Sequence, residues 1–294
     1  MYNFVSIHKQ DYPVQTLCET LEISRSSYYE FQQGKTYQTD AEGKEHVLKM
    51  FMLHRRRYGS RRISKAIGQQ GIKLGRYKVR RLMEVQNLRA IQPKSFVPKT
   101  TNSKHRLGYA SNVLASMDFP KEPNLVFVGD ITYLPTTNGE WLYLNIWIDL
   151  FSRRVVGWKI DANMEEDLAV DSFNQAKNNR RPDKGLVVHT DRGGQYAGAK
   201  FKLSLNGCTQ SMSGADNPYD NAYAESFFSR FKAELLEKGA FESLEDARTE
   251  VFNYIEMYYN TQRLHSGLGY LSPAQYEQHY YDEHVRKAGR NALV

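Results

Sequence analysis

The sequence predicts an α/β domain, a mixed sheet with flanking helices, that is preceded by all-α segments. Three observations predict this architecture. Apolar residues keep helical spacing in the first part of the chain, whereas strand-like apolar runs dominate after residue 123. Prolines cluster between the two parts, at Pro93, Pro98, Pro120 and Pro123. Charge divides there too, because residues 1–112 carry 21 Lys and Arg against 8 Asp and Glu, and residues 113–294 carry 19 against 25.

Composition excludes several classes of protein. Hydrophobic residues make up 40% of the 294 residues and charged residues 25%, which is typical of a soluble globular protein. No run approaches the roughly 18 to 20 apolar residues that span a bilayer, so we expect no membrane partner. The first ten residues lack the pattern of a secretory signal. Only two cysteines occur, Cys18 and Cys208, which argues against a disulfide framework or a structural zinc and favours a reducing cytoplasm.

Residues 1–44 are predicted to form an N-terminal helical segment that resembles a helix-turn-helix. Pro13 is a favourable first residue for one short helix, and Ser24 is a favourable cap for a second. Gly34 and the polar stretch through Lys44 are predicted to be a linker.

Residues 45–91 are predicted to form a basic helix-turn-helix domain. Residues 46–83 contain twelve Lys or Arg and no acid. Three helical apolar faces are predicted within this segment, formed by Val47, Leu48, Phe51 and Met52, by Ile63 and Ile67, and by Val79, Leu82 and Met83. The candidate DNA-binding residues are Arg55, Arg56, Arg57, Arg61, Arg62, Arg76, Lys78, Arg80 and Arg81. The alternative is a helical packing module whose charges only face solvent.

Residues 92–122 are predicted to be a linker, and the strands begin after it. An apolar run ends at Gly129-Asp130, Asn138-Gly139 predicts a hairpin, and two further strand-like runs follow. A helix is predicted over residues 165–178, and a short strand then leads to Asp191. Three antiparallel strands, a helix and another strand indicate a mixed sheet with helices packed on it.

Three carboxylates are candidate metal ligands. Asp130 and Asp191 each follow a hydrophobic strand, and Glu225 falls in the first turn of a predicted helix. Lys232 lies on the same helical face as Glu225 and is a candidate for a DNA phosphate. Oxygen ligands suit Mg²⁺ or Mn²⁺ rather than zinc. Asp149 is a rival candidate, although a role in stabilising the turn after it is favoured.

The local sequences around these acids occur in a definite order. They are Asp130-Ile131-Thr132-Tyr133, Asp149-Leu150-Phe151-Ser152-Arg153, Val156-Gly157-Trp158, His189-Thr190-Asp191-Arg192-Gly193-Gly194-Gln195-Tyr196, Ser211-Met212-Ser213, Asp220-Asn221-Ala222, Glu225-Ser226-Phe227-Phe228, Lys232 and the run from Tyr259 to Pro273. Together they closely resemble the OrfB-type transposases of the IS-three insertion-sequence family, DDE enzymes with a retroviral-integrase-like catalytic core. The front half resembles that family too, through Ser-Arg-Ser-Ser-Tyr-Tyr from Ser24 and Arg57-Tyr58-Gly59-Ser60-Arg61-Arg62-Ile63.

The resemblance implies a ribonuclease-H-like fold over residues 123–276, followed by a C-terminal tail over residues 277–294. It assigns the catalytic, metal-binding triad to Asp130, Asp191 and Glu225, with two Mg²⁺ (or Mn²⁺) ions per active site. Activated water would cut at a transposon end, and the freed 3′-hydroxyl would attack another phosphodiester. The implied partners are double-stranded DNA (terminal inverted repeats and target), a second copy of the chain on DNA, and an OrfA partner or fusion in the bacterial cytoplasm.

Departures from the family pattern leave a second hypothesis open. Between Asp191 and Glu225 lie residues 192–224, two fewer than the usual spacing, and the shortening falls around residues 205–214. Gly129 stands where Thr is usual, and Phe127 stands where Trp is common. We expect these changes to be tolerated in packing. The alternative is a catalytically impaired DNA-binding regulator or end-binding subunit, and a nuclease of the same fold is a third possibility.

Two histidines have open interpretations. His189, beside Asp191, either assists proton transfer or is a sheet-end histidine satisfied by backbone, and the second is favoured. His265, together with Arg263, either contacts DNA or caps the last helix.

Overall fold

The computed structural model describes residues 1–33, 35–93, 108–214, 221–237 and 239–291, without the side chains of residues 35–39 and 286–291. The chain divides into two compact units, Met1–Ile91 and Gln92–Val294. Over the described ranges, no helix combines the length and the apolar character needed to cross a membrane. Pro98 of the predicted linker, Gly34 and Asp220 lie outside the described residues.

The first unit opens with three short helices, α1 (Tyr2–His8), α2 (Val14–Thr20) and α3 (Arg25–Gln32). They pack around Val5, Cys18 and Tyr28. The predicted starts after Pro13 and Ser24 are confirmed, although the Ser24 side chain makes no cap hydrogen bond. Helix α1 was not predicted.

Three longer helices complete this unit, α4 (Lys35–Leu53), α5 (Ser60–Gln69) and α6 (Arg76–Val85). They confirm the three helices predicted in the basic segment. Two expectations were wrong. The polar stretch through Lys44 is not a linker, because α4 runs through it. Leu48 and Met52 are 39% and 62% exposed, so Met50 joins Val47 on the buried face instead.

The second unit contains a five-stranded mixed sheet in the order β3-β2-β1-β4-β5. The strands are β1 (Val126–Pro135), β2 (Trp141–Asp149), β3 (Val155–Asp161), β4 (Val187–Thr190) and β5 (Thr209–Met212). β1, β2 and β3 form an antiparallel meander, whereas β4 is parallel to both β1 and β5. The predicted mixed sheet is confirmed.

Helices pack on this sheet. They are α7 (Glu166–Arg180), α8 (Gly194–Ala197), α9 (Ala199–Ser204), α10 (Ala222–Leu236), α11 (Leu244–Phe252) and α12 (Pro273–Asn291). A π-helical segment, Asn253–Tyr259, continues α11. One buried cluster joins Trp147, Phe173 and Phe201, and another joins Ala224 of α10 to Val126 and Val128 of β1.

The C-terminal tail expected over residues 277–294 is also wrong for its described part. α12 extends from Pro273 to Asn291, and Glu277 is buried beside Arg180 and Ser152. A buried acid with such partners belongs to the folded unit rather than to a tail.

The glycine before the first acid has a physical explanation. Gly129 lies directly opposite Trp147 in the β1–β2 ladder, and the Trp147 ring is fully buried. A Cβ atom added to Gly129 would lie 2.4 Å from that ring, so the position has no room for threonine. Phe127 is fully buried in the same cluster as Trp147. The sequence departures at 127 and 129 therefore form one packing arrangement around the tryptophan.

Candidate active site

The strand register brings the first two acids together. β1 and β4 pair in parallel through Val126, Phe127 and Val128, the last opposite His189. Two residues further along each strand, this register leads to Asp130 and Asp191. Asp191 directly follows β4, as predicted. Asp130 does not end its strand, because β1 continues to Pro135 in its pairing with β2.

Backbone amides hold both carboxylates in place. Asp130 Oδ1 accepts a hydrogen bond of 2.9 Å from the Ile131 N–H, and Asp191 Oδ1 accepts one of 2.9 Å from the Gly193 N–H. A Cβ atom at Gly193 would approach Asp191 Oδ1 to 3.0 Å, which is tighter than ordinary contacts. The glycine after the second acid thus lets the chain turn closely around the carboxylate.

The third acid reaches the site from α10. Glu225 is exposed in the first turn of this helix, and the neighbouring Ala224 anchors the helix on β1. The two-residue shortening before Glu225 therefore leaves the helix docked, as expected. The affected residues 205–214 form the turn after α9, β5 and the two residues that follow β5.

Electrostatics show that the three acids and Lys232 interact. Burial raises the pKa of Asp130 well above its ordinary value, and the negative charges of Asp191 and Glu225 raise it further. The Ile131 N–H and Lys232 oppose this shift. Burial lowers the pKa of Lys232, and Asp130 opposes that shift. The structure therefore brings all four predicted residues into one charged cluster.

A divalent cation fits the donor chemistry of this cluster. The donors are carboxylate oxygens, which Mg²⁺ and Mn²⁺ prefer, and a cation would relieve the repulsion that raises the pKa of Asp130. Within the described residues, however, no three His, Cys, Asp or Glu side chains are close enough to ligate one ion. The three acids thus interact electrostatically in this structure without forming a closed ligand set.

Asp149, the rival candidate, has the turn-stabilising role that was favoured. Its Oδ1 accepts hydrogen bonds from the Phe151 and Ser152 N–H groups, and its Oδ2 accepts one of 2.7 Å from the Asn124 N–H. Burial raises the pKa of Asp149 to about 6, the Asn124 N–H lowers it, and nearby Glu277 raises it.

His189 is buried in β4. Its Nδ1 lies 2.9 Å from the Ser211 hydroxyl on β5. We expected a backbone partner for His189, but the partner of Nδ1 is a side chain on the neighbouring strand.

A buried ion pair on α10 was missed. Glu234 binds Arg263 through two hydrogen bonds of 2.6 and 2.9 Å and accepts another from the Tyr254 hydroxyl. Arg263 is therefore neither a DNA contact nor a helix cap, and His265 lies 3.4 Å from it. One signal could have found the pair. Glu234 lies three residues after Phe231 on the apolar stripe, where an acid requires a buried partner.

The candidate DNA-binding residues differ in how exposed their side chains are and in whether they form ion pairs within the protein. Arg57 is only 8% exposed, so its predicted role as a DNA contact is not supported. Lys78 and Arg81 form ion pairs with Asp40, which was not anticipated because Asp40 precedes the acid-free segment. Arg80 pairs with Glu84. The remaining candidates are exposed or partly exposed, namely Arg55, Arg56, Arg61, Arg62 and Arg76.

Comparisons with known families and proteins agree with this division of the chain. A family described as integrase core domain matches residues 120–218, a second of that description matches residues 206–273, and an HTH-like domain family matches residues 38–96. The HTLV-2 integrase catalytic core domain in complex with magnesium is 16% identical and covers 53% of this chain and 98% of its own, at a TM-score of 0.42.

Two bacterial relatives carry the assignment. The transposase for insertion sequence element IS904 of Lactococcus lactis is 40% identical over 80% of this chain and 93% of its own length. The transposase InsF for insertion sequence IS3A of Escherichia coli is 37% identical over 94% of this chain and 98% of its own. The chain therefore belongs to the IS-three (IS3) family of insertion-sequence transposases, with an integrase core of ribonuclease-H-like fold behind an HTH-like region.

Proposed function

We propose that this chain cuts DNA at the ends of an insertion sequence and joins the freed 3′-hydroxyl to another phosphodiester, with Asp130, Asp191 and Glu225 as ligands of two Mg²⁺ or Mn²⁺ ions. The observation that carries the proposal is the β1–β4 register, which aligns the first two acids under the helix of the third. The names of the relatives support the same reaction.

Each residue has a distinct part in this reaction. Asp130 and Asp191 hold their carboxylates in fixed positions, because each is tied to a strand and to a backbone amide. Glu225, in the first turn of α10, completes the ligand set. Bound divalent ions supply activation of the attacking oxygen and charge stabilisation of the leaving one. Lys232 offers a positive charge to a phosphate, and partial burial strengthens that attraction.

The DNA partner is recognised by the basic front half. The exposed arginines of the helix-turn-helix region attract the phosphate backbone, and Lys78 and Arg81 would leave Asp40 to do so. We propose that two copies act together on paired transposon ends and that an OrfA partner or fusion contributes to end recognition.

The test is strand transfer on labelled DNA that carries the ends of the insertion sequence, with Mg²⁺, and with the chain both alone and fused to OrfA. Wild type is compared with Glu225→Gln. Glu245→Gln is the matched control, since Glu245 is likewise an exposed acid in the first turn of a helix. We expect joined product from wild type and the control. The loss in Glu225→Gln should exceed the roughly 10- to 100-fold that removal of an outer-shell partner of a metal site costs.

Two outcomes would contradict the proposal. If no protein yields product while all bind the ends equally, the chain is a DNA-binding regulator. If cut DNA accumulates without joined product, the chain is a nuclease of the same fold.

A further inference from the structure

The turn between β2 and β3 carries an arginine in an unusual conformation. Arg153 has a φ of +62°, in the left-handed region that residues with a side chain rarely adopt. Its N–H donates to the Asp149 carbonyl at 2.8 Å, and the Asp149 side chain fixes the same turn. Asparagine or glycine would adopt this backbone conformation with less strain. The contacts of the arginine side chain must therefore explain why arginine occupies the position.

The Arg153 side chain lies against the start of α10. Its guanidinium carbon is 3.6 Å from the ring centre of Tyr223 and 5.1 Å from that of Phe119. Tyr223 is the second residue of α10, two positions before Glu225. The guanidinium is therefore stacked on the same helical turn that carries the third acid.

The backbone of Arg153 contacts a second support of α10. Its carbonyl accepts a hydrogen bond of 3.1 Å from the Tyr259 hydroxyl. The Tyr259 ring in turn packs edge-on against Phe227, one turn after Tyr223, with ring centres 4.8 Å apart. One residue of the β2–β3 turn is thus linked to both of the first two turns of α10.

Among the described residues, no side chain caps the start of α10, so its position depends on other contacts. Asn221 occupies the cap position without a cap hydrogen bond, and its buried Oδ1 has no partner among the described atoms. A cation at a helix N-terminus also opposes the helix dipole, so the position of Arg153 is not explained by the helix charge. Arg153 Nη1 is buried and has no hydrogen-bond partner in the described part of the chain, whereas the guanidinium stacks on the Tyr223 and Phe119 rings.

We propose that Arg153 is a positioning residue for Glu225, which it serves by stacking on Tyr223 and so fixing the first turn of α10 over the sheet. The proposal rests on the proposed function of Glu225 as the third metal ligand. Arg153 itself contacts neither metal nor substrate in this role.

The test measures kinetics and local exchange on the full chain. Arg153→Ala should lower kcat for strand transfer about 10- to 100-fold, as expected for loss of an outer-shell support, with KM for the DNA end unchanged. Amide hydrogen exchange of residues 222–228 should accelerate. Arg153→Lys keeps the charge but loses the flat stacking group, so its activity should lie between those of Arg153→Ala and wild type.

Tyr223 provides the reciprocal variants. Tyr223→Ala should reproduce Arg153→Ala, Tyr223→Phe should behave as wild type, and the double alanine variant should be no worse than either single one. Tyr223 is 36% exposed, so its replacement keeps the proposal testable if Arg153→Ala fails to fold. Arg248→Ala is the control, because Arg248 pairs with Glu245 on the surface of α11.

Several outcomes would overturn the proposal. Unchanged exchange at residues 222–228 in both alanine variants would do so. A salt-dependent rise in KM with unchanged kcat would instead make Arg153 a DNA contact. If wild type itself transfers no strand, the proposed function fails, while the exchange of residues 222–228 still decides whether Arg153 fixes the start of α10.

Discussion

The two sides of the candidate site are held in different ways. On the sheet side, backbone pairing between β1 and β4 places Asp130 beside Asp191. On the helix side, Glu225 is exposed at a helix end where, within the described residues, Asn221 makes no side-chain cap hydrogen bond. This helix packs through side chains such as Ala224 and Phe227. Strand register therefore determines the positions of two acids, whereas the position of the third depends on the packing of one helix.

The helix side has its strongest anchor at the far end of α10. The Glu234–Arg263 pair is almost fully buried, with each side chain 3% exposed. Arg263→Ala would leave the Glu234 carboxylate buried with the Tyr254 hydroxyl but without its cation. We expect a loss of about 3–5 kcal/mol in the free energy of unfolding, measured by urea titration.

A paired replacement separates the ion pair from simple loss of packing. Glu234→Met together with Arg263→Met should cost much less than Arg263→Ala, because no uncompensated charge stays buried. Arg248→Ala, which breaks an exposed pair, should cost at most about 1 kcal/mol. A loss in Arg263→Ala no larger than that of the exposed pair would show that the pair does not anchor α10.

On the sheet side, we expect substitution of Gly129 to destabilise the fold. Alanine there would place its Cβ atom against the rigid Trp147 ring, so we expect a loss of about 1–3 kcal/mol in the free energy of unfolding. Gly68→Ala is the matched control. No atom of the described residues lies within 4 Å of a Cβ at that helical position, and alanine there should stabilise by up to about 1 kcal/mol. Equal effects at the two glycines would contradict the packing explanation.

Sequence reasoning recovered the sheet side better than the helix side. Apolar runs predicted the four strands β1 to β4. The end of β1 was predicted too early, because Asp130 interrupts the apolar run, although the strand continues to Pro135. The stripe of α10 was also visible, since Phe227 and Phe231 recur at helical spacing. The strands and the apolar stripe of α10 can be predicted because each depends on residues that are close together in the sequence.

The features that escaped prediction depend on distant partners. Arg263 is 29 residues from Glu234, and Glu277 is 97 residues from Arg180, so no local pattern joins either pair. Polar composition made the first part of α4 look like a linker, because polar helical residues carry no apolar signal. The clash at Gly129 could not be predicted either, since it requires the register that places Trp147 opposite.

A substitution that we expect to stabilise the protein tests the comparison in the opposite direction. Burial and the charges of Asp191 and Glu225 raise the pKa of Asp130 in the folded protein, so the folded state holds the proton more tightly than the unfolded state. The ionised carboxylate therefore costs stability at neutral pH, and this cost disappears below the ordinary value of 3.8. Asp130→Asn should unfold at a higher temperature than wild type at pH 7 without Mg²⁺, and the difference should shrink as the pH falls towards 4.

Glu225→Gln is the helix-side counterpart. Because Glu225 is exposed, we expect its replacement to change the free energy of unfolding by no more than about 0.5 kcal/mol. Added Mg²⁺ should stabilise wild type but not Asp130→Asn, since only a state that binds the ion gains from it. A pH-independent difference between wild type and Asp130→Asn would refute the electrostatic cost. Equal stabilisation by both substitutions would contradict the distinction between a half-buried sheet-side acid and an exposed helix-side acid.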